Sequence, residues 1–549
     1  LYNNGLEIYS KDRQLIRKIR SAETNLSSDI VLCMTELDGK VWAGTDGGGV
    51  NVIDINDYSI SILSHISGDA SSFPAQSIKS IYTDNDGNIW AGSVRNGLIR
   101  VSKSGMKTYT DVHIGMNNGL SNPTVLCLHQ DEGSDLIWIG TDGEGINCFN
   151  PDKNEFTHFK STLKNKVVSI AGYSESELAI SIYSDRIWLF NKETGMIRPL
   201  PIMDPDINYN IRYAGRSINL YNENKDNLLL LGRNVKRYNK STGECSYLEI
   251  EGGKGKRDLF FLGKTQEGIW IHDAYSIYLL PQGEDTLKMV LDLDVIINSG
   301  DFGDDGTLWL ATKNGVYKCN THNKEIRQIE THLFTNATSI ICDNNSRVWV
   351  GTDDALYAYL PEANRFALFG HSDGASSNEY LPRPRLLSNR NEVYLGGIKG
   401  LLYIDESYSI DSVEKPLIKL DEIEVDHQRI ELGRETSFRL PSGSKTLSLS
   451  VNVHEKDIFR QKRFRFHLSS DSYIESVSPT LRFPQLPSPG TYPIMVSCTK
   501  RNGEWSTPTE VIALTIPQPW YFSWCIRAAA IILALVCCGV ISTLVTKDN

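Results

Sequence analysis

Apolar and polar residues alternate along most of this chain in runs of about four to eight positions, each closed by Asp, Asn, Gly or Pro. Period-two alternation turns one backbone face to a core and the other away from it, the pattern of a half-buried β-strand. One stretch shows the grammar in full. VLCLH (125–129) runs into an Asp/Gly turn, and IWIGT (137–141) carries a tryptophan. A Gly-rich turn, TDGEG (141–145), leads to INCF (146–149), and a Pro-Asp-Lys-Asn turn leads to a fourth stretch, 155–159. Four short strands joined by tight turns predict one antiparallel sheet of consecutive hairpins.

The grammar recurs. Trp42, Trp90, Trp138, Trp270, Trp309 and Trp349 each stand in a short apolar second strand. Ala179, Leu230 and Tyr394 take the same place in weaker copies, aligned on Leu231-Gly232 and Leu395-Gly396 for the last two. From Trp42 to Tyr394 the mean spacing is about 44 residues, the range of a propeller blade. A lone blade cannot bury both faces, so blades stack in a ring, and a tryptophan at a fixed place on the second strand suits a wedge between blades. Rings hold about four to eight blades. The last seven anchors therefore predict one seven-bladed ring over residues 121–412. Trp42 and Trp90 mark two earlier blades, and LYNNGLEIY (1–9) aligns with a third strand, so the chain is expected to begin mid-blade as a fragment.

After Lys415-Pro416 the repeat signature stops, but short alternating stretches continue to residue 516, broken by Pro484, Pro487 and Pro489. About 100 residues of such strands predict an Ig-like β-sandwich. The run 528–545, AAAIILALVCCGVISTLV, has the length and apolarity of a transmembrane helix. Trp520, Tyr521, Phe522 and Trp524 precede it as an interfacial belt, with Arg527 placed to snorkel. The expected fold is thus all-β: the end of a first propeller (1–120), a seven-bladed β-propeller (121–412), a β-sandwich (413–517) and one C-terminal transmembrane helix (520–545).

Charge and chemistry narrow the function. The net charge is −11 and no Lys/Arg-rich run occurs, which argues against nucleic acid as a partner. Of ten cysteines, Cys525, Cys537 and Cys538 lie in the apolar tail. The other seven show neither Cys-x-x-Cys nor zinc-ligand spacing, and Cys33 and Cys127 read as small core residues. Asp84, Asp86 and Asn88 around Gly87 do not match a calcium loop, because the glycine falls at the wrong place and sister repeats use this slot as a hairpin turn. Gly47-Gly48-Gly49 lacks the Lys-Ser/Thr and helix of a phosphate loop. The carboxylate pairs Asp304-Asp305 and Asp353-Asp354 are neighbours in turns, where side chains diverge, and do not form a glycosidase pair. No nucleophile motif, metal or cofactor is called for. In a propeller the turns between second and third strands share a face with the inter-blade linkers. That face would carry Asp142, Glu144, Arg233, Asn234, Lys313, Asn314, Asp353, Asp354 and Lys399, a mixture of charges and amides able to hydrogen-bond a sugar.

The repeats resemble the two-component regulator propeller repeats of Bacteroidetes hybrid sensor kinases, on DNDGNIWAG (84–92), LIWIGTDGEGINCF (136–149), NGLS (118–121) and VYLGGIKG (393–400). The segment after them is similar to the Y_Y_Y domain, with FRFHL (464–468) in place of paired tyrosines, then LPSPGTY (486–492), NGEWS (502–506) and the exit PQPWY (517–521). The resemblance implies a periplasmic region over residues 1–519 and one helix through the inner membrane. It also implies a homodimer that senses an oligosaccharide or other small ligand, and a cytoplasmic histidine kinase outside this chain. A propeller enzyme acting on polysaccharide and a membrane-tethered binding or scaffold protein without a kinase are the other readings.

Overall fold

The computed structural model describes residues 3–65, 72–84, 88–101, 105–112, 117–162, 164–202, 218–252, 258–360, 364–370, 373–375, 378–408, 416–430, 436–454, 462–469, 472–483, 486, 488–500, 504–518 and 524–547. Within them the chain is almost entirely β, organised in many small antiparallel sheets plus one C-terminal helix. It divides into two units, Leu1–Ser409 and Ile410–Asn549.

The first unit opens with three sheets. Leu6–Tyr9 pairs with Leu15–Ile19, strands Val31–Leu37 to Ile60–Leu63 form a four-stranded meander, and strands Ile78–Thr83 to Leu98–Val101 form a three-stranded one. Ile19, Leu26, Ala43 and Ile53 pack together between the first two, and Val50, Ala75, Ile78 and Ala91 between the second and third. Then the chain changes partner. Met106–Tyr109 pairs antiparallel with Gly400–Ile404, as the fourth strand of a sheet whose other strands come from residues 380–404. The expected boundary at residue 120 is corrected accordingly. An unpaired edge at Gly400–Ile404 would expose a row of backbone donors and acceptors, and the upstream strand covers it.

Seven sheets make up the rest of this unit. Their first strands are Val125–Gln130, Val167–Gly172, Asn219–Asn222, Phe260–Thr265, Ile297–Phe302, Ala337–Cys342 and Tyr380–Leu387. Each neighbours the next, and the last neighbours the first, so the circuit is closed. Six sheets have four strands. The fourth has a fifth, Glu249–Glu251, parallel to Thr286–Asp292.

The tryptophans stand on the second strands. Trp138, Trp270, Trp309 and Trp349 are buried, while Trp42 and Trp90 are half-buried. Trp138 packs on Ile170, Ile180 and Phe190 of the next sheet, and Trp309 on Ile340 and Tyr359 of the one after its own. Glycine two positions after the tryptophan lets the sheets approach. A Cβ on Gly140 would come within 2.4 Å of Cys127 Sγ and 2.6 Å of the Val167 carbonyl. Cys127 itself donates to that carbonyl at 3.4 Å.

One weak copy is out of register. Ile137 faces Phe149 and Trp138 faces Cys148. In the third ring sheet Leu228 faces Tyr238 and Leu229 faces Arg237, with Asn239 and Asn150 closing equivalent strands. Leu229, not Leu230, therefore takes the tryptophan position, and it packs toward the next sheet with Ile269 and Ile271. Alignment on Gly232 caused the slip, because that glycine lies in the turn, where its N–H bonds to the Asn234 carbonyl. A one-residue shift moves a strand side chain to the opposite face.

The second unit has two sheets. One holds strands Leu417–Val425, Gln428–Ile430, Leu447–His454 and Thr480–Phe483. The other holds Ser437–Arg439, Phe464–Ser469, Ser472–Ser476, Gly490–Cys498 and Thr509–Ile516. Both contribute to one core, with Ile423 and Leu449 from the first meeting Phe466, Val496 and Leu514 from the second. Phe464 and Phe466 point into it, while Arg465 between them lies 3.9 Å from the Trp505 ring centre and 4.5 Å from that of Tyr473. The helix runs Trp524–Lys547, and the first four residues of the expected 520–545 lie outside the described residues. Its Trp524–Ser542 stretch has a mean hydropathy of 2.4 and no buried residues, which makes it long and apolar enough to cross a membrane. The expected belt residues Trp520, Tyr521 and Phe522, like Pro484, Pro487 and Pro519, lie outside the described residues.

Candidate functional site: the axial cavity of the ring

First strands that neighbour one another in a closed circuit leave a space on the axis. Six of the seven line a cavity of about 710 Å³. Its most distinctive wall is the seventh first strand, which contains Pro382-Arg383-Pro384-Arg385. This strand is an edge of its sheet, so the missing N–H groups of its prolines cost little there. Period-two alternation turns Arg383 and Arg385 to the same side while Pro384 is buried.

Both arginines reach across the axis. Arg383 Nη1 donates to Asn219 Oδ1 at 2.9 Å, on the third first strand, and its guanidinium carbon lies 5.2 Å from the Phe260 ring centre. Arg385 Nη2 donates to the Leu262 carbonyl at 2.9 Å, and its Nη1 lies 3.5 Å from Asp301 Oδ1. Asp301 Oδ2 accepts the Cys342 N–H at 2.9 Å. Burial raises the Asp301 carboxyl above its ordinary pKa, an effect that Arg385 opposes. Arg383 is open to the cavity yet ringed by protein, and that enclosure pulls its guanidinium below its usual value. Tyr221 and Phe261, also on the cavity wall, stack with centres 4.0 Å apart and planes at 14°.

His272 backs the same wall. It is buried, its Nδ1–H donates to the Asp273 carbonyl at 2.8 Å, and burial drives its pKa down to about 4. The unfolded chain takes up this proton near pH 6.5. Between about pH 6.5 and 4 the unfolded state therefore binds more protons than the folded one, and stability falls as the pH falls. The loss is complete near pH 4 and amounts to about 3 kcal/mol from this group. Urea unfolding at pH 7.5 and pH 4.5 is expected to show most of that difference, and His272→Gln to remove it. An unchanged pH dependence in the variant would contradict the assignment.

The residues expected on the ring face lie outside the axial cavity. Asp142 and Glu144 lie in the turn after Ile137–Thr141, Arg233 and Asn234 after Asn227–Leu231, and Lys313 and Asn314 after Leu308–Thr312. Asp353 and Asp354 follow Val348–Thr352, and Lys399 follows Val393–Gly397. All occupy second-to-third-strand turns, as the repeat grammar implies, and none lines the axial cavity. Asp142 is paired with Lys166 at 2.6 Å and Glu144 is half-buried, while the other seven are exposed. The cavity arginines escaped the sequence reading because it was anchored on second strands. The available signal was two arginines alternating with two prolines where an inner strand was expected.

Asp84 accepts hydrogen bonds from the Asn88 N–H and from Trp90 Nε1, both at 2.8 Å, and Asp343 accepts one from Trp349 Nε1 at 2.9 Å. These turn carboxylates orient the tryptophans. Among the described residues no group of His, Cys, Asp and Glu is arranged to hold a metal ion.

Among the described residues, a large β-sheet region is followed by one helix long and apolar enough to cross a membrane. Comparison with known proteins adds the following likenesses. A model of the two component regulator propeller repeat matches residues 72–95. Histidine kinase P4 of Formosa agariphila is 20% identical over 453 residues, which span 73% of this chain and 32% of the kinase. The chain thus matches about a third of that relative's length. Among solved structures, the extracellular domain of the "putative hybrid two component system BT3049" from B. thetaiotaomicron shares the fold. Its TM-score is 0.76 at 19% identity, covering 94% of this chain and 70% of that one.

Proposed function

We propose that this chain is the extracytoplasmic sensing region of a membrane-bound hybrid two-component sensor histidine kinase. In this reading the ring is a seven-bladed β-propeller, the sheets ahead of it are blades of a neighbouring propeller, and residues 413–517 form an Ig-type sandwich of the Y_Y_Y kind. The ligand is a glycan or oligosaccharide, with contacts among Asp142, Glu144, Arg233, Asn234, Lys313, Asn314, Asp353, Asp354 and Lys399. The protein signals as a homodimer to control polysaccharide-utilisation genes. Its role is to bind and report rather than to turn a substrate over.

The observation that carries this reading is the combination of a closed ring enclosing a polar cavity with a membrane-length helix on the same chain. Strand Thr509–Ile516 ends only a few residues before the helix opens at Trp524, and Pro517 stiffens the connection. Movement of the second β unit therefore reaches the helix instead of being lost in a flexible tether. One helix has no second packing state by itself, so the signal is a change of spacing or angle between two copies. The ligand must bind one arrangement better than the other, since equal affinity shifts nothing. Inserting a Gly/Ser linker of roughly ten residues between Ile516 and Pro517, in the chain joined to its kinase, is expected to leave ligand binding intact and abolish the phosphorylation response. A response of full amplitude from that variant would refute the coupling.

A further inference from the structure

We propose that the axial cavity binds a small neutral ring bearing several hydroxyl groups, held against a wall of Tyr221, Phe261, Asn298 and Ser299. The neutral hydroxylated ring rests on the cavity alone. That the ring is a sugar rests on the sensor reading above, and adds an axial contact to those at the turns.

The enclosed charges of the wall are matched within the protein. Arg385 engages Asp301, which also accepts the Cys342 N–H. Arg383 donates to Asn219, lies over Phe260 and is attracted by Asp258. Lys264, near the end of its strand, is exposed. A charged ligand would break these pairs or leave its own charge enclosed without a partner, which is costly. The neutral groups differ. Asn298 donates through Nδ2 to Asn336 Oδ1 and to the Ala337 carbonyl, at 3.2 and 2.7 Å, and its Oδ1 accepts nothing among the described residues. Ser299 is 2% exposed and its Oγ has no partner. The Tyr221 hydroxyl makes no hydrogen bond among the described residues either. Burial pushes that phenol up to about 12, so it keeps its proton and can donate. All three residues line the cavity, and an enclosed hydroxyl without a partner is rare in a folded protein.

These groups set the chemistry of the occupant. The Tyr221 and Ser299 hydroxyls each donate or accept, whereas Asn298 Oδ1 only accepts. A ligand hydroxyl does both, so a polyhydroxylated molecule satisfies all three without carrying charge. An ether or ketone has nothing to give Asn298. The three residues and Phe261 come from consecutive first strands, Asn219–Asn222, Phe260–Thr265 and Ile297–Phe302. The Tyr221–Phe261 stack among them offers flat apolar surface to the C–H face of a ring. At about 710 Å³ the cavity lies inside the range of small-ligand sites, roughly 300–1,000 Å³.

The test uses the full chain in lipid nanodiscs and titration calorimetry with glucose, galactose, glucuronate, galacturonate and myo-inositol. At least one neutral probe is expected to bind, with an affinity that NaCl does not change, and each bound sugar to exceed its uronate counterpart by roughly tenfold. Tyr221→Phe keeps the stack and removes the hydroxyl, and is expected to lose roughly three- to tenfold in affinity at an unchanged melting temperature. Ser299→Ala is expected to lose as much, with a melting temperature unchanged or raised, because the hydroxyl it removes bonds to nothing in the protein. The proposal is overturned if no neutral probe binds, if the uronates match the sugars, if NaCl weakens binding, or if either variant binds like the parent. Myo-inositol binding at least as tightly as both neutral sugars would uphold the hydroxylated-ring site and sink the sugar-sensing reading.

Discussion

Trp309→Ala should lower the stability of the ring by about 3–5 kcal/mol, read as a shift of the urea midpoint at constant slope. Trp309 is 5% exposed and packs against Ile340 and Tyr359 of the next sheet, with its ring centre 5.0 Å from that of Tyr359. Truncation removes that burial and leaves a void between two sheets. A closed circuit holds both sheets in place, so the void cannot collapse. Trp90→Ala is the control. Trp90 is half-buried and held at its edge by Asp84, so its loss should cost less than half as much. Equal losses at the two sites would show that the tryptophans do not act as wedges in the closed ring.

Tyr109→Ala should be comparably damaging, at about 3–5 kcal/mol, but through a different route. Tyr109 is 5% exposed and sits where the seventh ring sheet meets the first. Its ring lies 4.9 Å from Phe149 and 5.2 Å from Phe156, and its hydroxyl donates to Asn154 Oδ1 at 2.6 Å. Its backbone pairs with Leu401. The substitution should therefore loosen the seam before it unfolds the ring. Hydrogen exchange is expected to accelerate first at Gly400–Ile404 and its partner strand. Uniform acceleration across all seven sheets would argue that closure is not a separable step.

The regularity of the fold was written on the second strands. Trp138, Trp270, Trp309 and Trp349 marked those strands because a large ring at a fixed register is needed to fill the gap between twisted neighbours. Where the wedge is small the signal faded. Ala179 and Tyr394 held register, whereas the leucine run 228–231 offers four equivalent side chains and only strand pairing separates Leu229 from Leu230. Met106–Tyr109 misled for another reason. Repeat grammar assigns a fourth strand to the sheet before it, and local pattern does not disclose a partner near residue 402. The axial cavity was obscured for the same reason. Arg383 meets Asn219 only because the chain closes on itself, and nothing in the spacing of those two residues announces their meeting.

Strand Met106–Tyr109 has a consequence for biogenesis. Its partner strand ends at Ile404, nearly 300 positions later. A chain is synthesised from its N-terminus, so this strand emerges early and waits for nearly the whole of the first unit to follow. Contacts of such long range form slowly, and meanwhile the strand is an exposed template for pairing with other nascent chains. The nascent protein is thus expected to depend on a holding chaperone until residue 404 is free. Ribosomes that stop short of that point release a molecule with six complete ring sheets and no means of closing them.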